Sequence, residues 1–280
     1  MKKNAQKQNL GQDPVGPLLL KLAVPTIIAQ LVNLLYNLVD RIYIGHIPDV
    51  GGMALTGLGL CFPVIMMITA FSSLIGAGGA PRAAIFMGKG NMDSAEQILG
   101  NCTAMLLGIS IALTVILEMA GPAILWIFGA SDNTFPYAIS YMRIYVFGTV
   151  CVMMTLGLNM FVTTQGFSKI SMMTVLIGAV LNIILDPIFI FAFGMGVQGA
   201  ALATIISQGV SALWVLHFLT GSKTKLRIRA GKMRVRRAVI LPVMALGVAP
   251  FIMNITESLL NVAFNSSLSK FDGDAAVGAM

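Results

Sequence analysis

The chain of 280 residues is 57% hydrophobic and only 10% charged, with a net charge of +7 and a mean hydropathy of +0.86. Soluble domains carry about a quarter charged residues, so this balance excludes an ordinary globular enzyme or binding domain and indicates an integral membrane protein. Its 3 cysteines show no CxxC or CxxH spacing, which leaves no basis for a disulfide framework or a Cys/His metal site.

A bilayer is spanned by about 20 apolar residues, and runs of that length recur along the whole sequence. Residues 1–17 form a polar segment, polar to about Leu10, and no cleavable leader is expected because the first apolar run is long enough to span and stay. That run, 18–39, holds Pro25 and ends in a stripe of Gln30, Asn33, Tyr36, Asn37 and Asp40. Predicted helices at 54–79 and 97–119 are almost wholly apolar. The next, 138–162, carries Thr155 and Asn159 and leads to Thr163. In the fifth, 170–193, helical periodicity puts Ser171, Thr174, Gly178, Asn182 and Asp186 within about 120° of one another. The sixth, 198–219, repeats the pattern with Thr204, Ser207, Gln208 and Ser211. A basic loop at 222–238 comes next, then a seventh helix at 239–267 with Asn254, Glu257, Ser258, Asn261 and Asn265. The expected architecture is all-α and membrane-embedded: a six-helix lobe at 18–221, an inter-lobe loop, and the start of a second lobe at 239–280.

The basic residues set the orientation. With a cytoplasmic N-terminus, that side receives Lys2, Lys3, Lys7, Lys21, Arg82, Lys89, Lys169 and every basic residue of 222–237. The opposite side keeps Arg41, Arg143 and Lys270. The positive-inside rule favours this arrangement in the cytoplasmic membrane. The loop lacks aromatic residues for stacking, so it reads as a juxtamembrane segment facing anionic lipid and not as a nucleic-acid surface.

Intramembrane carboxylates are the main functional signal. A charge at the centre of a span costs about 2.5–3.5 kcal/mol on the insertion scale, so Asp40, Asp186 and Glu257 mark an ion or proton pathway or a water-filled cavity. Asn182 lies one turn before Asp186, and Pro187 succeeds it to loosen the backbone. The two histidines, His46 and His217, are isolated, and no Ser, His and acid set or phosphate loop stands out, so enzyme chemistry is not expected. The 19 methionines include Met66, Met67, Met153, Met154, Met160, Met172 and Met173 in predicted spans, where flexible thioethers suit either core packing or broad ligand contact. Residues 22–45 can be laid on the region from 246, matching Pro25 with Pro250 and Asp40 with Asn265, as expected for parallel six-helix repeats.

Three segments carry a family resemblance: "LLYNLVDRIYIGHIPDVGGMALTGLGLCFPV", "GAGGAPRAAIFMGKGNMDSAEQILGN" and "NIILDPIFIF". With these, residues 14–280 resemble the multidrug and toxic compound extrusion family of twelve-helix, two-lobe antiporters. The resemblance implies a cation-coupling set of Asp40, Asn159, Asn182, Asp186 and Thr204, a first helix that bends at Pro25, and a second-lobe coupling role for Glu257. It implies no cofactor or metal, only a coupling ion, H+ or Na+. The expected function is cation-coupled efflux of small, often cationic and amphipathic drug-like molecules, with Gln30, Asn33, Tyr36, Asn37, Asn254 and Asn261 as pathway candidates and membrane lipids around the spans. Residues 1–280 alone are expected not to transport. A lipid-linked sugar flippase of the same superfamily, or a non-transporting fragment, stands as the alternative.

Overall fold

The computed structural model describes residues 15–278. They form α1 (Val15–Gly45), α2 (Gly51–Gly88), α3 (Met92–Ile127), α4 (Phe135–Phe147), α5 (Thr149–Thr164), α6 (Ser168–Pro187), α7 (Val197–Thr220) and α8 (Arg237–Gly278). Six are long and apolar enough to cross a membrane, and α4 with α5 makes a seventh, bent span. The polar segment 1–17 lies almost entirely outside the described residues.

Several helices overrun their expected ends because amphipathic turns outside the hydrocarbon length still satisfy their own backbone groups. Thus α2 reaches Gly88, α3 begins at Met92, and α8 begins at Arg237, inside the stretch expected as loop. The expected single helix at 138–162 is a correction: it bends by 57° between Phe147 and Thr149. Gly148 sits at this corner with Ile205 of α7 filling the place a side chain would take.

The central element is α2, and its glycines explain why. Without a hydrophobic force between helices in lipid, close backbone approach supplies the packing. Gly76 lies against Gly157 of α5, Gly79 against Phe161 of α5 and Cys102 of α3, and Gly78 against Val243 of α8. Its own Leu60, Ile68 and Ile75 pack with Leu99 and Leu106 of α3 and Leu158 and Phe161 of α5, all fully buried. By contrast α1 leans on α6 and leaves a long apolar face open, including Leu20, Ile27, Leu34 and Leu38.

One local feature positions the site. Pro187 has no N–H, so the carbonyl of residue 183 loses its helical donor, and α6 runs on through Pro187 into a π-helical turn at Ile188–Ala192. Asp186 is the last residue before this break and is fully buried.

Candidate functional site

The four-residue spacing of Thr174, Gly178, Asn182 and Asp186 puts all four on one buried face of α6. Opposite stand Thr204, Ser207, Gln208 and Ser211 of α7, with Thr155 and Asn159 of α5 and Asn33 and Tyr36 of α1 closing the sides. Together they enclose a cavity of about 50 Å³. A water needs roughly 10–15 Å³ of such space, so the cavity has room for a few waters or a partly hydrated cation.

Asp186 lies just beyond its Asn182 end, with Asp40 as its neighbouring carboxyl from α1. The Asn182 amide donates to Asp186 Oδ1 at 3.2 Å and to Thr204 Oγ1 at 3.3 Å, which ties α6 to α7. Asn159 Nδ2 donates to the Ser171 carbonyl at 3.3 Å, and Thr155 Oγ1 to that of Gln208 at 3.0 Å. These bonds leave several oxygens of the site unpaired. Asp40 Oδ1, Asp186 Oδ2, Asn159 Oδ1, Asn182 Oδ1, Ser207 Oγ and Gln208 Oε1 are buried without a hydrogen-bond partner among the described residues. No ion pair among the described residues involves either carboxylate; the neighbouring Arg41 lies over the Phe62 ring, 5.7 Å from its centroid. Such a cluster of unpaired oxygens is suited to a cation or to protonation, because buried acceptors without donors are costly.

Of the expected set, Asn159, Asn182 and Thr204 line one cavity with Asn33 and Tyr36, Asp186 lies next to its Asn182 end with Asp40 beside it, and Asn159 stands at the opposite end, bonded to the Ser171 carbonyl. It does not bring the remaining candidates there. Gln30 and Asn37 are exposed on α1, and Asn37 donates to its own helix at the Asn33 carbonyl. Glu257 is exposed on α8, where Asn254 and Asn261 bond the carbonyls of Pro250 and Glu257. Helix α1 runs continuously through Pro25, which is buried. No methionine lines the cavity; Met153 and Met154 are core residues.

Sequence reasoning missed a second polar assembly. The loop at 221–236 does more than connect; it is docked on α3 and α5. Gln165 Oε1 accepts from Thr224 Oγ1, Lys225 N and Leu226 N at 2.7, 2.9 and 2.8 Å. Asn101 binds the Lys232 carbonyl and the Arg236 N–H at 3.0 and 2.7 Å. Glu96 pairs with Arg229 at 3.0 Å and Lys232 at 2.7 Å, and Lys232 also reaches Asp93 at 2.7 Å. Burial acts to lower the Lys232 pKa, but the hydrogen bonds and charges of Asp93 and Glu96 outweigh it and hold the ammonium above its ordinary value. The signal was there: polar residues at apolar helix ends, facing a basic loop.

Comparison with known proteins gives the family. The MatE family model matches residues 25–188, more than half of the chain. The multidrug export protein MepA of Staphylococcus saprophyticus is 26% identical over 92% of this chain and 56% of its own length. MepA of Staphylococcus aureus strain MRSA252 is 24% identical over 99% of this chain and 61% of its own. The chain thus spans about three-fifths of the length of the curated relatives it matches. Among solved structures, that of the MATE multidrug transporter DinF-BH superposes with a TM-score of 0.92 at 31% identity, over 98% of this chain and 62% of that one. Inward-facing and outward-facing conformations of a multidrug resistance MATE family transporter give 0.83 and 0.82, both at 26% identity. They are covered over 59% and 56% of their length and cover 93% and 92% of this chain. The chain belongs to the MatE family.

Proposed function

We propose that this chain forms the first lobe, and the beginning of the second, of a cation-coupled multidrug exporter in the cytoplasmic membrane, with its N-terminus inside. The observation that supports this most directly is the side-by-side pair Asp40 and Asp186, in no ion pair among the described residues and next to a cavity of unpaired oxygens. Two carboxyls so placed are stable together only if a proton or a metal cation joins them, which is the property an exchanging site needs. Asn182 and Thr204 supply neutral oxygens to the same ion, whereas Asn159, which bonds the Ser171 carbonyl about four turns away along α6, does not reach it. We assign the coupling ion as H+ or Na+.

Coupling results if ion and drug prefer opposite conformations, since a ligand shifts an equilibrium only by its differential affinity for the two states. Helix α1 is the natural moving part. It is the least buried span, carries Asp40 and Tyr36 on one side, and has Pro25 where bending costs least. Gln30 and Asn37 on its open face, with Asn254, Asn261 and Glu257 of α8, would contact substrate or partner helices in a central pathway. The substrates would be small cationic amphipathic compounds, with lipid covering the outer apolar faces. A lipid-linked sugar flippase fits less well, because no Lys or Arg lines the cavity to hold a pyrophosphate.

The test is efflux of a cationic dye by the full-length transporter in vesicles, with sodium and pH gradients imposed separately. Efflux driven by one gradient and abolished by Asp186→Asn supports the reading. Efflux indifferent to both gradients contradicts it.

A further inference from the structure

Polar groups on α6 do not stop at the carboxylates. Asp186, Asn182, Gly178, Thr174 and Ser171 succeed one another a helical turn apart, from the carboxyl pair to the short turn joining α5 and α6. The facing wall is polar over the same length, with Thr204, Ser207, Gln208 and Ser211 of α7, then Asn159 and Thr163 of α5. We propose that this seam is a cation path through the interior of the lobe, gated at its α5–α6 end by the hydrogen-bonded pair Thr163 and Ser171.

Three observations carry it beyond the exchange site, on which it rests. First, the unpaired acceptors are spread along the cavity and not only beside the carboxylates. Asn182 and Ser207 are both only 2% exposed, and Gln208 Oε1 and Asn159 Oδ1 lie farther along. Oxygens left without donors along a whole lane fit an occupant that travels it. Second, the absence of a side chain at Gly178 lets the Ser211 hydroxyl stand against α6 on the cavity wall: a Cβ there would meet Ser211 Oγ at 2.7 Å, and that hydroxyl donates to the Thr174 carbonyl at 3.1 Å. Third, a small polar contact lies at the far end. Thr163 Oγ1 donates to Ser171 Oγ at 2.8 Å, and Asn159 holds the Ser171 carbonyl at 3.3 Å. Both hydroxyl residues are half-buried, so the gate lies close to the surface. A hydroxyl pair can part and solvate a passing cation, which an apolar plug cannot.

Ion and drug then leave the exchange site by different doors, and the ion never enters the central pathway. The experiment uses the reconstituted full-length transporter with ethidium as the dye. Ser171→Leu should place an apolar plug at the gate and slow gradient-driven efflux roughly tenfold, the effect of a barrier raised by about 1.4 kcal/mol, while ethidium still binds. Ser171→Ala removes the hydroxyl bond, so passive sodium or proton leak without dye should rise several-fold, and Thr163→Ser should show neither defect because it keeps the bond intact. Wild-type efflux in Ser171→Leu together with wild-type leak in Ser171→Ala overturns the path. Should Ser171→Leu fail to bind ethidium, the leak of Ser171→Ala decides alone. Asp186→Asn run in parallel separates the two ideas: if it abolishes gradient-driven efflux while both Ser171 variants behave as wild type, coupling stands and only the route is wrong.

Discussion

Gln165 and Thr224, 59 positions apart, are joined by a 2.7 Å hydrogen bond buried between the end of α5 and the loop that leads to α8. The same amide oxygen accepts from two backbone N–H groups, so a single side chain fixes three consecutive loop residues. The loop is therefore built onto the end of α5 and is not a free connection.

Gln165→Leu keeps the volume and removes the acceptor. Thr224 retains a bond to the Leu226 carbonyl at 2.8 Å, but the Leu226 N–H is left buried and unpaired. That omission costs about 1–3 kcal/mol. The variant is expected to unfold at lower temperature in detergent and to be cut faster by trypsin within 223–229. An unchanged melting temperature and digestion rate would contradict the anchoring role.

The Lys232 cluster gives a pH expectation. Its folded pKa is raised above the ordinary lysine value of 10.5 by Asp93 and Glu96. A raised pKa means the stabilisation is complete below the unfolded value and is lost as pH climbs through the folded one. Wild-type and Lys232→Met proteins should then differ in melting temperature by a constant amount at neutral and mildly alkaline pH, and converge only in strong alkali. A difference that grows with pH would reverse the sign and refute the assignment.

Gly247 packs directly on the Leu74 backbone, leaving no room for a Cβ, whereas Gly16 has nothing within 4 Å of that position. Gly247→Ala must separate α2 from α8 and should cost about 1–3 kcal/mol or more, as overpacking does. Gly16→Ala should cost nothing measurable. Equal folded yields of the two, by size-exclusion chromatography, would show that the helices have slack.

Asp186→Asn removes a buried charge while keeping shape, so the folded protein should be as stable as wild type or more so, and should bind drug but ignore the ion gradient. Asp40→Asn should do the same, and the double variant should be little worse than either single because the pair acts as a unit. Additive losses in efflux rate would mean that the two carboxyls serve separate steps.

The spans were legible because length and hydropathy are local properties, and the polar stripes of α5, α6 and α7 were legible because 3.6-residue periodicity survives in lipid. Asp186 announced itself by its cost. Other features depend on who the neighbour is. The corner at Gly148 needs Ile205, and the role of Gln165 needs a loop 59 residues later. The stripe of α8 looked equal to that of α6, but Ser258 and Asn265 turn inward to the Pro63 and Gly59 carbonyls of α2 while Glu257 faces out. Periodicity gives a stripe and does not say what it meets.

The glycine contacts between α2 and α8 have a mechanical meaning. With Gly78 on Val243 and Gly247 on Leu74, and the preceding loop pinned at Gln165, Asn101 and Glu96, the first three turns of α8 are clamped to α2 and α3. The hold continues past Gly247, through Phe251 on Phe71 and the bonds of Ser258 and Asn265 to the Pro63 and Gly59 carbonyls. Pro250, three residues on, supplies no N–H to the turn before it, and its own carbonyl is taken by Asn254 at 2.7 Å. The weakest point of the α8 ladder thus lies in the middle of a span with α2 contacts on both sides, so bending there requires the outer half of α8 to peel away from α2.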